Sequence, residues 1–329
     1  MTDELRVGLI GTGGIAGRHV GDLQGVDGAG IVALVDPDPN RIGSMKKRFP
    51  ALVDCPAYDD YRDMLDADVV DAAIICSPHN VHCEQILACL DAGLHVLCEK
   101  PMVCTIEDGH KVVEREEQTG KIVAVAYQRH SQTQFQFIRN RIRSGRTGEV
   151  QFISAFQGQN WLRLTSGSWR QIPEVSCGGQ LNDSGSHLID IILWTTGLKA
   201  GRVSAQIQHF SAPVDINSGL TVEFTNGAVA NIGVVGNCPL SGMWEDITFV
   251  CEDSCFFLRQ GELTYTVEGG GETLKMVRAS YGGGSPAENF VDAIRGRAEV
   301  LAPSVCGLRT IELTEAAWRS AESGKPVEL

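Results

Sequence analysis

The sequence predicts an α/β protein in which a doubly wound parallel sheet precedes an α+β domain with an open, mainly antiparallel sheet. Three observations lead there. The first third alternates short apolar runs with amphipathic segments, the pattern of a parallel sheet covered on both faces. A glycine-rich turn, "GTGGIAG", separates the first apolar run from the first amphipathic segment. After about residue 127, β-rich runs follow one another on short turns, which implies antiparallel pairing. At 329 residues the chain is too long for one comfortable core. The expected division is 1–126 and 127–329.

In order, "LRVGLIG" predicts a strand, "IAGRHVGDLQGV" a helix, "GIVALVD" a strand and "PNRIGSMKKRF" a helix. "YRDML" is a short helix or turn. "VDAAIICS" is a strand, "VHCEQILACLDAG" a helix and "HVLCEKP" a strand. "TIEDGHKVVEREEQTG" is a helix closed by Gly120, and "KIVAVAYQ" is a strand. A basic helix, "QFIRNRIRSG", then leads through "EVQFISAFQGQ" and a long loop to the apolar helix of "GGQLNDSGSHLID". "RVSAQIQHF", "LTVEFTNGAVANIGVV", "DITFVCED", "CFFLRQ" and "ELTYTVEG" are strand-like, with Asn226-Gly227 as a hairpin turn. "SPAENFVDAIRG" and "RTIELTEAAWRSAES" close the chain as helices. "EGGGE" and "YGGGS" are loop punctuation rather than phosphate loops, since neither lies between a strand and a helix.

Composition narrows the function classes. With 43% hydrophobic and 21% charged residues the chain matches an ordinary globular protein. A net charge of −13 disfavours nucleic acid and anionic membranes as partners. No run approaches the roughly 18 apolar residues of a membrane span, and the N-terminus lacks a signal-peptide pattern. The expected location is the cytoplasm. The 11 cysteines contain no C-x-x-C pair, and Cys76, Cys98 and Cys251 sit in apolar runs as small buried hydrophobes. His79, His82 and Cys83 form a cluster without a second one at ligand spacing, so no metal is expected.

The glycine turn is more specific. Gly11, Gly13 and Ala16 stand in G-x-G-x-x-A spacing, with Gly14 and Ile15 between them, after a strand and before a helix. Gly11 permits the tight turn, Gly13 lets backbone approach a pyrophosphate, and Ala16 allows close helix–strand packing. The helix N-terminus attracts the anion. Asp36 ends the second strand 20 residues after Ala16, where an acid holds adenosine ribose hydroxyls. This is the Rossmann fingerprint for a dinucleotide. Asp36 would repel a 2′-phosphate, which favours NAD over NADP, although Arg41 lies close enough to matter.

Other candidates cluster at strand ends. "CEKP" ends the fifth strand at the carboxyl edge, where Glu99 and Lys100 would reach the cofactor and Pro101 admits a cis bond. Ser77, Pro78, Asn80 and His82 follow the fourth strand and should pass beneath the nicotinamide ribose, with helix-start packing the rival role for His82. Asp183 and His187, four residues apart, should share one face of a helix. A helix cap and a satisfied core histidine are the bland alternatives. Trp169 and Arg170, on the preceding loop, are expected to close over the cofactor, by ring contact and phosphate pairing. Asn160, Trp161 and Arg163 are candidate substrate contacts, with core packing the alternative for Trp161.

"GTGGIAGRH", "SPHNVHCEQILACLDAGLHVLCEKPM", "YQRH" and "SWRQIPEVSCGGQLNDSGSHLID" together resemble the glucose–fructose oxidoreductase/inositol dehydrogenase (Gfo/Idh/MocA) family over most of the chain. The resemblance implies a Rossmann domain followed by an open-faced α/β domain, assembled as a dimer or tetramer. It implies NAD(P)-dependent oxidation or reduction at a hydroxyl-bearing carbon of a sugar, sugar derivative or inositol. Carried onto this chain, the catalytic set is Lys100, Asp183 and His187, all present, with Arg129 as a substrate or cofactor contact. Lys100, Asp183 and His187 would also hold the substrate. His187 suits the proton transfer, Lys100 stabilisation of developing alkoxide, and Asp183 orientation of the substrate. Two rivals stand beside this: an enzyme using NAD transiently for sugar elimination or glycoside cleavage, and a non-catalytic NAD-dependent sensor. Runs such as "ANIGVVG" are too apolar for free exposure and predict a homo-oligomer through the second-domain sheet.

Overall fold

The computed structural model describes residues 4–267, 273–276 and 284–329. The chain forms two compact units, Met1–Gln128 with Gly284–Leu308 and Arg129–Gly283 with Arg309–Leu329. The first crossing of the chain, after Gln128, lies two residues from the expected boundary. A contiguous division does not include the return of Gly284–Leu308 to the first unit. An amphipathic helix shows that it has a partner, and its periodicity does not say which sheet that is.

The first unit contains β1 (Leu5–Ile10), α1 (Ala16–Leu23), β2 (Ala29–Val35), α2 (Pro39–Arg48), β3 (Ala57–Tyr58) and α3 (Tyr61–Asp66). It continues with β4 (Ala72–Ile75), α4 (His82–Asp91), β5 (His95–Cys98), α5 (Ile106–Thr119) and β6 (Val123–Val125). The sheet order is β3-β2-β1-β4-β5-β6, with every pair parallel. The order reverses between β1 and β4, the switch point outside whose carboxyl ends such sheets bind ligands. Val7, Leu9, Ala72 and Ile74 are fully buried, as strands covered on both faces must be. Ala16, Val20 and Leu23 of α1 join that core, as do Phe290 and Val291 of the returning segment. Gly120 caps α5 in the left-handed conformation, as expected.

The second unit begins with α6 (Thr133–Arg143), β7 (Val150–Gln159), α7 (Trp161–Leu164), α8 (Pro173–Ser176) and α9 (Gly185–Thr196). Next come β8 (Ala200–Gln208), β9 (Asn217–Phe224), β10 (Val229–Val235), β11 (Met243–Cys251), β12 (Ser254–Arg259), β13 (Glu262–Val267) and β14 (Thr273–Met276). The chain ends with α10 (Pro286–Ile294, in the first unit), α11 (Ser304–Ser323) and β15 (Val327–Glu328). The strand order is β14-β13-β12-β11-β7-β10-β9-β8-β15. All pairs are antiparallel except β7 with β10, so the sheet is mixed. Asn226-Gly227 turns β9 into β10, with Gly227 at φ 89°. Gln260 and Gly261, both at positive φ, turn β12 into β13 as a primed two-residue hairpin requires. "EGGGE" and the "YGG" of "YGGGS" lie outside the described residues. No helix among the described residues is long and apolar enough to cross a membrane.

Candidate active site

In the first unit the glycine turn follows β1 directly. Gly11 has φ 88°, and a Cβ there would stand 2.7 Å from the Cys76 carbonyl carbon and 2.8 Å from Ser77 N. Only glycine satisfies both constraints. At Gly13 and Gly14 a Cβ would meet nothing within 4 Å, so the backbone is bare just ahead of α1, where a helix start leaves N–H groups for an anion. Ala16 is fully buried, and Ile15 is exposed. The turn therefore fits a dinucleotide pyrophosphate.

Asp36 has a local task as well. It is 4% exposed; its Oδ2 accepts from Thr12 N at 2.8 Å and Thr12 Oγ1 at 3.0 Å, and its Oδ1 from Asp38 N at 3.0 Å. The carboxylate thus ties the glycine turn to the end of β2, and its remaining lone pairs suit ribose hydroxyls. Arg41 is exposed and lies 3.8 Å from Asp38. At the end of β5, Lys100 precedes a cis Lys100–Pro101 bond. Glu99 Oε1 lies 2.8 Å from His19 Nε2 on α1, and Glu99 Oε2 accepts from Lys100 N at 3.2 Å. Burial pushes the Glu99 carboxyl up, but the His19 hydrogen bond and the charges of His19 and Lys100 outweigh it and hold the pKa low. His82 is fully buried, with Nδ1 2.8 Å from the Pro101 carbonyl and Nε2 2.9 Å from that of Ser77. Burial pushes its pKa down. The ring bridges the chain after β4 and the turn after β5. Ser77 Oγ donates to Gln85 at 2.5 Å, Pro78 precedes a single turn at His79–Val81, and Asn80 is exposed.

In the second unit α9 begins at Gly185, so Asp183 lies in the turn before the helix and only His187 in its first turn. This corrects the expectation of one shared helix face. The reason is local: Asp183 N bonds Gly179 O at 3.0 Å and Gly185 N bonds Gln180 O at 2.8 Å, closing a separate turn. Asp183 is buried, and its Oδ2 accepts from Trp161 Nε1 at 2.8 Å and Arg170 Nε at 3.0 Å. Trp161, a candidate substrate contact with core packing as the alternative, is 4% exposed, packs with Val214 and Ile216 and donates its indole N–H to Asp183. Arg170 lies over the Trp169 ring at 4.5 Å while pairing with Asp183. Asn160 is half-buried and Arg163 exposed. Arg129 is buried, its Nη2 2.6 Å from Glu245 Oε2 on β11. His130 Nε2 bonds Asp190 Oδ2 at 2.7 Å, anchoring α9 from beneath. Burial pushes the Asp190 carboxyl up against the pull of His130.

An oxidoreductase family with an NAD-binding Rossmann fold matches residues 5–127, and the GFO/IDH/MocA C-terminal domain matches residues 135–253. The chain belongs to the Gfo/Idh/MocA family. Inositol 2-dehydrogenase of Corynebacterium glutamicum (strain R) is 26% identical over 245 residues, 70% of this chain and 67% of the relative. An oxidoreductase domain protein from Kribbella flavida has the same fold, with TM-score 0.90, 19% identity and 99% of each chain covered. The WlbA dehydrogenase of Bordetella pertussis, solved with NADH and UDP-GlcNAcA, follows at TM-score 0.86 and 22% identity, covering 100% of this chain and 99% of that one.

This Gfo/Idh/MocA oxidoreductase also carries polar residues that spacing did not single out. Thr12 and His19 are buried beside Asp36 and Glu99. His19 had a usable signal, because it stands three residues after Ala16 and so shares the buried face of α1. Gln157 of β7 is fully buried and donates to Ser184 Oγ at 2.6 Å, and Glu245 pairs with Arg129. Neither had a signal, since both contacts join residues far apart in sequence.

Proposed function

We propose that the protein transfers a hydride between nicotinamide and a secondary hydroxyl or ketone of a sugar, sugar derivative or inositol, with NAD as the preferred cofactor. The observation that carries this is Asp183, buried and held by Trp161 and Arg170, immediately ahead of the α9 turn bearing His187. The Gfo/Idh/MocA relatives support the substrate class: one is named for inositol and another was solved with a sugar nucleotide.

Gly11, Gly13, Gly14, Ile15 and Ala16 would hold the pyrophosphate and Asp36 the ribose. Ser77, Pro78, Asn80, His82 and Glu99 would line the nicotinamide end. Bound nicotinamide supplies the hydride acceptor. His187 takes the hydroxyl proton, Lys100 donates to the same oxygen as charge develops, and Asp183 orients the carbon that reacts. Trp161 and Arg170 act on that carbon through Asp183, by fixing its carboxylate. Arg129, Asn160 and Arg163 remain candidates for outer hydroxyls, and Trp169 for cover over the cofactor.

A panel of cyclitols, aldoses and their derivatives, assayed with NAD and NADP by absorbance of the reduced nicotinamide, tests the proposal. Turnover with at least one, faster with NAD, is the expected result. Product without net NADH would indicate transient oxidation, and no turnover across the panel would favour a sensor. Equal or tighter NADP binding would overturn the cofactor preference and make Arg41 the deciding residue. We further propose a homo-oligomer through the outer face of the second sheet and a cytoplasmic location.

A further inference from the structure

Asp215, just ahead of β9, lies directly against the turn that carries Asp183. It is 3% exposed, yet its carboxylate accepts three hydrogen bonds. Oδ1 takes Gly179 N at 2.8 Å and the Trp318 indole N–H at 3.1 Å, and Oδ2 takes Leu181 N at 2.7 Å. Its carbonyl oxygen accepts from Gln180 N at 2.9 Å. Three consecutive residues of the turn therefore hang on one residue 36 or fewer positions away. The fit is tight, since a Cβ on Gly179 would fall inside the Asp215 carbonyl oxygen. The same turn bonds onward, Gly179 O to Asp183 N and Gln180 O to Gly185 N, the first residue of α9.

We propose that Asp215 is a positioning residue, setting the placement of Asp183 and His187 through the 179–181 turn. This rests on the reading that those two residues serve the reaction. Burial pushes the Asp215 carboxyl up, while the Leu181 and Gly179 N–H groups and the indole pull it down. Burying a carboxylate is costly, and a well-packed apolar residue is often no less stabilising. What an apolar side chain does not supply is two acceptors aimed at two N–H groups of one turn.

Asp215→Asn keeps the shape but leaves one oxygen for two backbone donors that now use different oxygens. In the full-length variant, single-turnover hydride transfer to NAD, using the best substrate of the panel, should fall about 10²-fold, the scale of a misplacement near 1 Å. NAD affinity should stay near wild type, because the glycine turn and Asp36, which would hold the pyrophosphate and the ribose, belong to the first unit and not to the 179–181 turn. The His187 imidazole signal, assigned by its loss in His187→Ala, should shift in the ¹H–¹⁵N spectrum of histidine-labelled protein. In the His187→Ala background Asp215→Asn should cost little more, whereas a separate stability defect would multiply. Should Asp215→Asn not fold, Gly179→Ala keeps the carboxylate, pushes the turn off it and carries the same measurements. A folded variant with an unmoved His187 signal, or a loss that multiplies in full, overturns the positioning role alone. Full activity of His187→Ala overturns the catalytic reading and the positioning role with it.

Discussion

At the scale of single residues, the proposal makes His187 and Lys100 serve one oxygen. His187→Ala should lower kcat by about 10²–10⁴-fold while leaving NAD affinity nearly intact. Lys100→Met should also lower kcat, because alkoxide charge develops mainly in the transition state. The double variant should lose less than the product of the two, which single-turnover kinetics on folded protein will show. A buried structural histidine would instead lower the melting temperature and leave activity per folded molecule unchanged. Glu99 gives a pH prediction. Its folded pKa lies below the unfolded value of about 4.3, so its contribution is complete above that and lost as pH falls through the depressed value. Unfolding free energy measured by urea between about pH 3 and 6 should therefore fall less steeply for Glu99→Gln than for the wild type. Lys100, Asp183 and His187 are legible as motif positions that the family resemblance carries onto this chain. The partners of Asp183 are not: Trp161 and Arg170 reach it from 22 and 13 residues away, and spacing carries no information about side chains that meet through packing.

At the scale of elements, helix ends follow their local chemistry. Ser285 and Glu288 form a reciprocal capping box at the start of α10, with Pro286 in the first turn. Ser285→Ala should cost about 0.5–2 kcal/mol in chemical denaturation and leave hydride transfer per folded molecule unchanged. A drop in specific activity would contradict that. The same locality explains why Gly120 and Asn226-Gly227 were readable as a cap and a hairpin turn. It also explains why α9 was not placed to the residue. Asp183, Ser184 and His187 suit a helical turn by spacing, but the bonds from the 179–181 turn decide that the helix starts at Gly185.

At the scale of the whole molecule, the open sheet sets the assembly prediction, though for a different reason than "ANIGVVG" suggested. That run alternates, with Ile232 and Val234 buried and Asn231 exposed. The outward apolar surface comes instead from Phe152 and Phe156 on β7, 37% and 38% exposed, and Trp244 on β11, 45% exposed. Phe152 stands in register with Val229 and Val250, so these side chains share one face. Light scattering at micromolar concentration should give a multiple of 35.5 kDa, and Phe156→Arg should shift it toward the monomer. A wild-type monomer would overturn the assembly.

The sequence alone determined both sheets and the glycine turn, because each rests on periodicity or on backbone geometry within a few residues, whereas the catalytic candidates came from what the family resemblance implies. Tertiary structure decided which unit takes α10 and that Trp161 packs with Val214 and Ile216. It also decided that Arg129 faces Glu245 and that Asp215 underlies the turn before α9. Each of these is a buried group meeting a distant partner. A polar group taken out of water must find such a partner, and only the packed chain determines which one is within reach.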